Sequence, residues 1–149
     1  MFWQLVIAFS IVAVCLVLHI VAIIVMGDWL FDQRERGQTL RAAGYIVLLI
    51  ATFCAIIFLH MIETAIWAAF YYGHGLFPDF ETAFYFSITS YTTIGFGDVV
   101  LPRAWRMLGG IEGISGVLLC GLSTAFVFAI VNALFQMRLQ RRNPTEQSR

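Results

Sequence analysis

Charge is scarce in this sequence. Only 12% of its 149 residues are charged and 60% are hydrophobic, whereas soluble domains carry roughly 25% charged residues. Lysine is absent, so all nine basic residues are arginine. The formal net charge of +0 leaves no global field to draw in nucleic acid. Cysteine is limited to Cys15, Cys54 and Cys120, each inside an apolar run. They read as small core side chains, without disulfide or metal-ligand spacing. No phosphate loop and no supported nucleophile–base set is present, so the expectation is a non-enzyme with no organic cofactor and no evident small-molecule substrate. The N-terminus lacks a positive n-region, and its apolar run of about 25 residues is too long for a signal peptide.

What the sequence does have is long apolar runs. Three exceed the roughly 20 residues needed to cross a bilayer: residues 1–26, 42–72 and 104–140. The expected fold class is therefore an all-α, multi-pass membrane protein with three transmembrane helices. Residues 76–101 are too polar and broken for a fourth crossing. They fit a re-entrant loop, which is tolerated where protein or water surrounds it. Within it, Pro78 precedes Asp79, a good N-cap, and Glu81 lies in the first turn of a helix expected over 79–91. The first span has no arginine ladder, so it is no ordinary voltage sensor.

Arginine placement gives the orientation. Arg34, Arg36 and Arg41 lie between spans one and two, and Arg138, Arg141, Arg142 and Arg149 follow span three. The positive-inside rule places those segments in the cytoplasm and the N-terminus and re-entrant loop outside. Residues 27–41 read as a cytoplasmic linker. It is either an interfacial helix with Trp29, Leu30 and Phe31 dipping into lipid or a plain connector. Residues 141–149 read as a mobile cytoplasmic tail.

The segment with chemistry in it is residues 92–98: Thr92, Thr93, Ile94, Gly95, Phe96, Gly97, Asp98. Stripping water from a cation takes successive carbonyl oxygens aimed at one axis. Two glycines separated by one residue supply the backbone angles this requires. Ile94 and Phe96 would then point away from the axis and pack, and Thr93 would add its hydroxyl oxygen.

Around this loop stand His60 and Glu63, Trp67-Ala68, Phe80-Glu81, Tyr85-Phe86-Ser87, Trp105-Arg106, Glu112 and Ser123-Thr124-Ala125. With the filter-like segment, this string resembles the bacterial two-span, single-pore-loop potassium channel family over about residues 45–137. Span one lies outside that plan. The resemblance implies passive K+ conduction through a homotetramer in the plasma membrane of a prokaryote. Thr93, Ile94, Gly95 and Phe96 would offer ion-coordinating carbonyls and Gly97 would finish the turn. Asp98 would sit partly buried at the outer mouth. Filter support would come from Thr92, Thr89, Tyr85 and Phe86, the last two in an aromatic cuff. Two departures stand out. Phe96 replaces the commonest tyrosine and loses a bracing hydroxyl, and Thr89 replaces a carboxylate that in some relatives pairs with the filter aspartate. Two other readings stay open: a weakly selective cation channel, or an accessory or transporter subunit with a vestigial filter.

The flanking helices carry further candidates. By rise per residue, Glu63 and Glu112 reach similar depths behind the filter. One buried polar network is expected of His60, Glu63, Glu112 and either Arg106 or pore-helix hydroxyls, bracing the filter and open to pH sensing. His19 reads as a satisfied or interfacial histidine. Gly109 and Gly113 suit close helix packing, and Gly116 is a hinge candidate. Val131 and Phe135 are the first candidates for an apolar constriction that closes by dewetting.

Overall fold

The computed structural model describes residues 2–35 and 42–142. Arg36, Arg41 and the tail from residue 143 lie outside them, and with them part of the arginine pattern used for orientation. The described residues form four helices and no strand: α1 (Phe2–Glu35), α2 (Ala42–Gly73), α3 (Phe80–Tyr91) and α4 (Arg106–Arg142). Helices α1, α2 and α4 are each long and apolar enough to span a membrane. Their outward faces carry large apolar side chains such as Phe9, Val17, Val47, Phe58, Leu118 and Phe128, each more than half exposed. A helix that is apolar on both its packed and its open faces belongs in lipid or against other membrane helices.

Residues 27–35 differ from the expected linker. Helix α1 continues through Gly27 to Glu35. Gly27 lies in ordinary contact range of Phe126 on α4, so the glycine sits at a helix contact and does not break the chain. Its intrinsic cost of about 1 kcal/mol is small beside the apolar run on either side.

Local chemistry explains the other boundaries. Helix α2 stops where Gly75 takes φ 65°, a left-handed angle that suits glycine. The turn is closed by His74 N–H to the Phe70 carbonyl (3.1 Å) and Leu76 N–H to the Tyr71 carbonyl (3.0 Å). Helix α3 opens at Asp79, which caps it as expected: its carboxylate accepts from the Thr82 N–H at 2.7 Å. That bond holds the Asp79 carboxyl below its usual range.

Helix α3 packs between α2 and α4, and α1 lies across α4 and the edge of α2. The core at this junction is aromatic. Phe86 of α3 meets Tyr71 and Phe77 with ring centroids 5.4 and 5.1 Å apart, and Trp67 is fully buried. At one end Gln4 of α1 donates to the Ala104 carbonyl at 2.6 Å. The start of α1 therefore lies at the same end of the bundle as the loop that follows α3.

Candidate functional site

Helix α3 and the loop after it are seated by a stripe of glycines on α4. A methyl built on Gly109 would stand 3.1 Å from the Phe86 ring, on Gly113 3.0 Å from the Ser90 carbonyl, and on Gly116 2.1 Å from the Tyr91 carbonyl. Gly116, expected as a hinge, is thus a point of backbone-to-backbone approach inside an unbroken helix. Only a residue without Cβ lets the end of α3 come this close.

Past Tyr91 the chain leaves the helix and changes hand repeatedly. Thr93 has φ 60°, Gly95 51° and Gly97 80°, while Ile94 and Phe96 keep negative φ. In a regular strand, successive carbonyls point to opposite sides. Alternating the sign of φ turns them toward one side. The two glycines are expected there, but at Thr93 a β-branched residue holds a left-handed angle at a cost of order 1–3 kcal/mol. Two bonds hold it there: Thr93 N–H to the Ser90 carbonyl (2.9 Å) and Gly95 N–H to the Thr89 carbonyl (3.0 Å). Thr92 fixes the start of the loop through its hydroxyl, 2.6 Å from the Ile88 carbonyl. Among the described residues, the carbonyls of residues 93–97 accept no hydrogen bond.

The side chains of this loop do not pack within one chain. Ile94 is 55% and Phe96 70% exposed, against the expectation that both would be covered. Beside the loop, Thr89, Ser90, Thr93 and Gly95 join Gly110, Ile114, Val117 and Leu118 of α4 in lining an open cleft of about 440 Å³.

Asp98 is exposed, not partly buried. Its carboxylate accepts from the Tyr85 hydroxyl at 2.7 Å. That bond holds the Asp98 carboxyl below its usual range and raises the Tyr85 phenol. Tyr85 therefore stands apart from the aromatic cluster, which Phe86 joins. It supplies the partner that Thr89 cannot: the Thr89 hydroxyl turns back to the Phe86 carbonyl at 2.9 Å.

The expected single network behind the loop is two. Glu112 accepts from the Tyr71 hydroxyl at 2.8 Å and from Ser87, whose hydroxyl also lies 2.9 Å from the Thr64 carbonyl. Glu63 accepts from the Tyr91 hydroxyl at 2.5 Å and pairs with His60 Nδ1 (3.0 Å) and His19 Nδ1 (2.8 Å). Arg106 joins neither; its Nε donates to the Leu101 carbonyl at 3.2 Å. Rise per residue puts both acids behind α3 without resolving one turn. Ser87 and Tyr91 lie on one face of α3, four residues apart, so the two acids back it about 6 Å apart along its axis.

His19 was read as satisfied or interfacial and is the former. It is fully buried, with Ser123 at 3.1 Å from its Nε2 and Glu63 at its Nδ1. Its partnership with Glu63, and those of Tyr71 and Tyr91, were not anticipated. A polar side chain on an apolar helix signals that a partner exists, but the partner's identity depends on helix crossing.

Val131 and Phe135 are 43% and 58% exposed near the opposite end of α4. With Leu134 they border a cleft against Tyr45, Ile46 and Leu49 of α2.

The site is thus a short re-entrant helix followed by a left-handed-alternating loop, held between two membrane-spanning helices. That architecture is a pore-loop membrane protein's. A family model described as an ion channel matches residues 45–133. This is more than half of the chain, and the chain belongs to that two-transmembrane pore-domain ion channel family, with an additional apolar helix, α1, before it. No curated protein and no solved structure matches the chain closely enough to stand beside that family.

Proposed function

We propose that the chain is the subunit of a homotetrameric potassium channel conducting K+ passively, with residues 93–97 as its filter. The observation that carries this reading is the set of unpaired carbonyls from Thr93 to Gly97, on a backbone whose φ changes sign at each residue. Unpaired carbonyls on one side of a strand are a ready replacement for a cation's hydration shell. Thr93, Ile94, Gly95 and Phe96 would coordinate the ion, with the Thr93 hydroxyl at the inner end. The C-terminal end of α3 adds its partial negative charge at the loop.

One loop supplies one strand of carbonyls, and a dehydrated ion needs a ring. Four copies around an axis complete it. The apolar faces at Ile94, Phe96, Ile114 and Leu118, open in one chain, would be covered by neighbours. The positive-inside rule sets the filter outward and the C-terminus in the cytoplasm of the plasma membrane.

The axial face of α4 also points to a constriction. At 100° per residue, Phe128 falls within about 30° and Phe135 within about 50° of the centre of the Gly110, Ile114, Val117, Leu118 stripe, and Val131 about 90° away. Phe128 is therefore the better candidate to close the pore by dewetting, while Phe135 and Val131 both border α2.

Liposomes holding only this chain test the function. Potassium flux blocked by barium, with a reversal potential that follows potassium over sodium, supports it. Equal sodium flux would make the protein a weakly selective cation channel. A well-folded tetramer with no flux would make it an accessory subunit.

A further inference from the structure

Helix α1 lies outside the matched family region, yet at one point it enters the support of the loop. His19 and Glu63 are fully buried there, and Ser123 nearly so. Each of the four helices contributes a side chain: His19 from α1, His60 and Glu63 from α2, Tyr91 from α3 and Ser123 from α4.

Glu63 is the centre of this cluster, and its two oxygens have different partners. Oε2 accepts from the Tyr91 hydroxyl at 2.5 Å and from His60 Nδ1 at 3.0 Å. Oε1 accepts from His19 Nδ1 at 2.8 Å and, among the described residues, from nothing else. The terminal torsion of a glutamate has no sharp well of its own, so the carboxylate is oriented by its donors. Tyr91 and His60 hold one oxygen and leave the group free to turn about it. His19 supplies the second point and fixes the plane.

The far side of the His19 ring is held as well. Its Nε2 and that of His60 each lie 3.1 Å from the Ser123 hydroxyl oxygen. With one of the two rings carrying both its protons, the hydroxyl accepts from that ring and donates to the other, while both Nδ1–H groups donate to Glu63. One imidazolium then offsets one carboxylate, and each is hydrogen-bonded, as buried charges must be.

Glu63 in turn holds the end of the pore helix. Tyr91 is the last residue of α3. Two residues on, Thr93 keeps its φ of 60° through its N–H bond to the Ser90 carbonyl and the Gly95 N–H bond to the Thr89 carbonyl. Both acceptors lie in the last turn of α3, so these bonds persist only while that turn stays seated. We infer that His19 is a positioning residue for the loop: it fixes the Glu63 carboxylate, which through Tyr91 seats the last turn of α3 and keeps Thr93 in its left-handed angle. The consequence for conduction rests on the channel reading above; the contacts themselves do not.

Amide hydrogen exchange of the full-length protein in micelles, followed residue by residue by NMR, tests this. Asparagine at position 19 places an N–H near the place of the histidine Nδ1 but falls short of Ser123. Glutamine is closer to histidine in size and reaches toward Ser123, but its N–H lies away from Glu63. His19→Leu should speed exchange at Thr93 and Gly95 roughly 10–100-fold, as for loss of a buried bond to a charged group. The Thr82 amide, bonded to Asp79 at the far end of α3, should not change. His19→Asn should restore protection to within a few-fold of the parent, and His19→Gln should resemble His19→Leu. If elution and melting show that His19→Leu does not fold, the asparagine and glutamine variants carry the test. Parent-like exchange in His19→Gln, or a rise shared equally by Thr82, overturns the proposal, because filling space would then be all that His19 does. Potassium flux separates the two readings. A parent without flux overturns the channel, and the order of exchange still decides the role of His19. A conducting parent should lose its preference for potassium over sodium least in His19→Asn and most in His19→Leu.

Discussion

Replacing Gly116 with alanine places a methyl where α4 touches the end of the pore helix. Its ideal Cβ lies 2.1 Å from the Tyr91 carbonyl oxygen and 2.9 Å from the carbonyl carbon. Comfortable carbon–oxygen contacts begin near 3.3 Å, so the helices must part by about 1.2 Å. Both atoms are backbone, and no rotamer change relieves the overlap. Overpacking of this kind costs about 1–3 kcal/mol, and a rigid backbone contact belongs at the upper end. The gain in helix propensity from glycine to alanine returns about 1 kcal/mol. The net loss of about 2 kcal/mol corresponds to a fall of roughly 4–8 °C in melting temperature for a chain of this size. Thermal melting of the purified protein in micelles reads it. Because the displaced atom is two residues from Thr93, potassium flux should fall in parallel. Gly113→Ala, with its Cβ 3.0 Å from the Ser90 carbonyl, should lose less, and Gly109→Ala, facing the tip of the Phe86 ring at 3.1 Å, less again. Gly121→Ala meets nothing within 4 Å and should melt at or above the parent. If Gly116→Ala melts with Gly121→Ala, the contact reading is wrong. Altered opening at unchanged melting would return Gly116 to the role of a hinge.

Three further outcomes are expected. Glu112→Leu leaves the buried Tyr71 hydroxyl without an acceptor while Ser87 keeps the Thr64 carbonyl, so stability should fall by about 1–3 kcal/mol. Adding Tyr71→Phe should recover most of it, as read by denaturation of the single and double variants. Tyr85→Phe removes the bond that depresses the Asp98 carboxyl. A depressed carboxylate contributes above its unfolded pKa and loses that contribution as pH falls through its folded pKa. The acid limb of the flux–pH curve should therefore move to higher pH in Tyr85→Phe; an unmoved limb would show that Asp98 does not govern it. Phe128→Ala should raise flux at rest if the exposed face of α4 lines the pore, and unchanged flux would place the constriction elsewhere.

The apolar runs, the Pro78-Asp79 helix start and the paired glycines were legible because each is a local signal: composition, a capping side chain, a required φ. The limits of the reading are equally physical. His19 sits in an otherwise apolar helix, 44 residues from Glu63, and nothing local says which acid it meets. Tyr85 and Asp98 are 13 residues apart across a turn whose path depends on Thr93 adopting φ 60°. Propensity argues against that angle, and only tertiary bonds enforce it. Residues 27–35 continue α1 as helix, because glycine and arginine occur both in linkers and at the end of a long helix.

The missing hydroxyl of Phe96 takes on a different meaning once these contacts are known. Tyrosine at that position would carry a hydroxyl able to brace the loop against the helix before it. In this chain the bracing comes from the helix before the loop and the helices behind it. Tyr85 holds Asp98 beyond Gly97, Ser87 and Tyr91 tie α3 to Glu112 and Glu63, and the glycine stripe seats its end. Buried bonds also resist loss more than exposed ones, because an orphaned partner cannot turn to water. The burial of Glu63 and Glu112 against the exposure of Asp98 therefore ranks them: the inner end of the loop is held by buried carboxylates and the outer end by a solvent-facing one. Mobility of the loop should be concentrated at Phe96, Gly97 and Asp98.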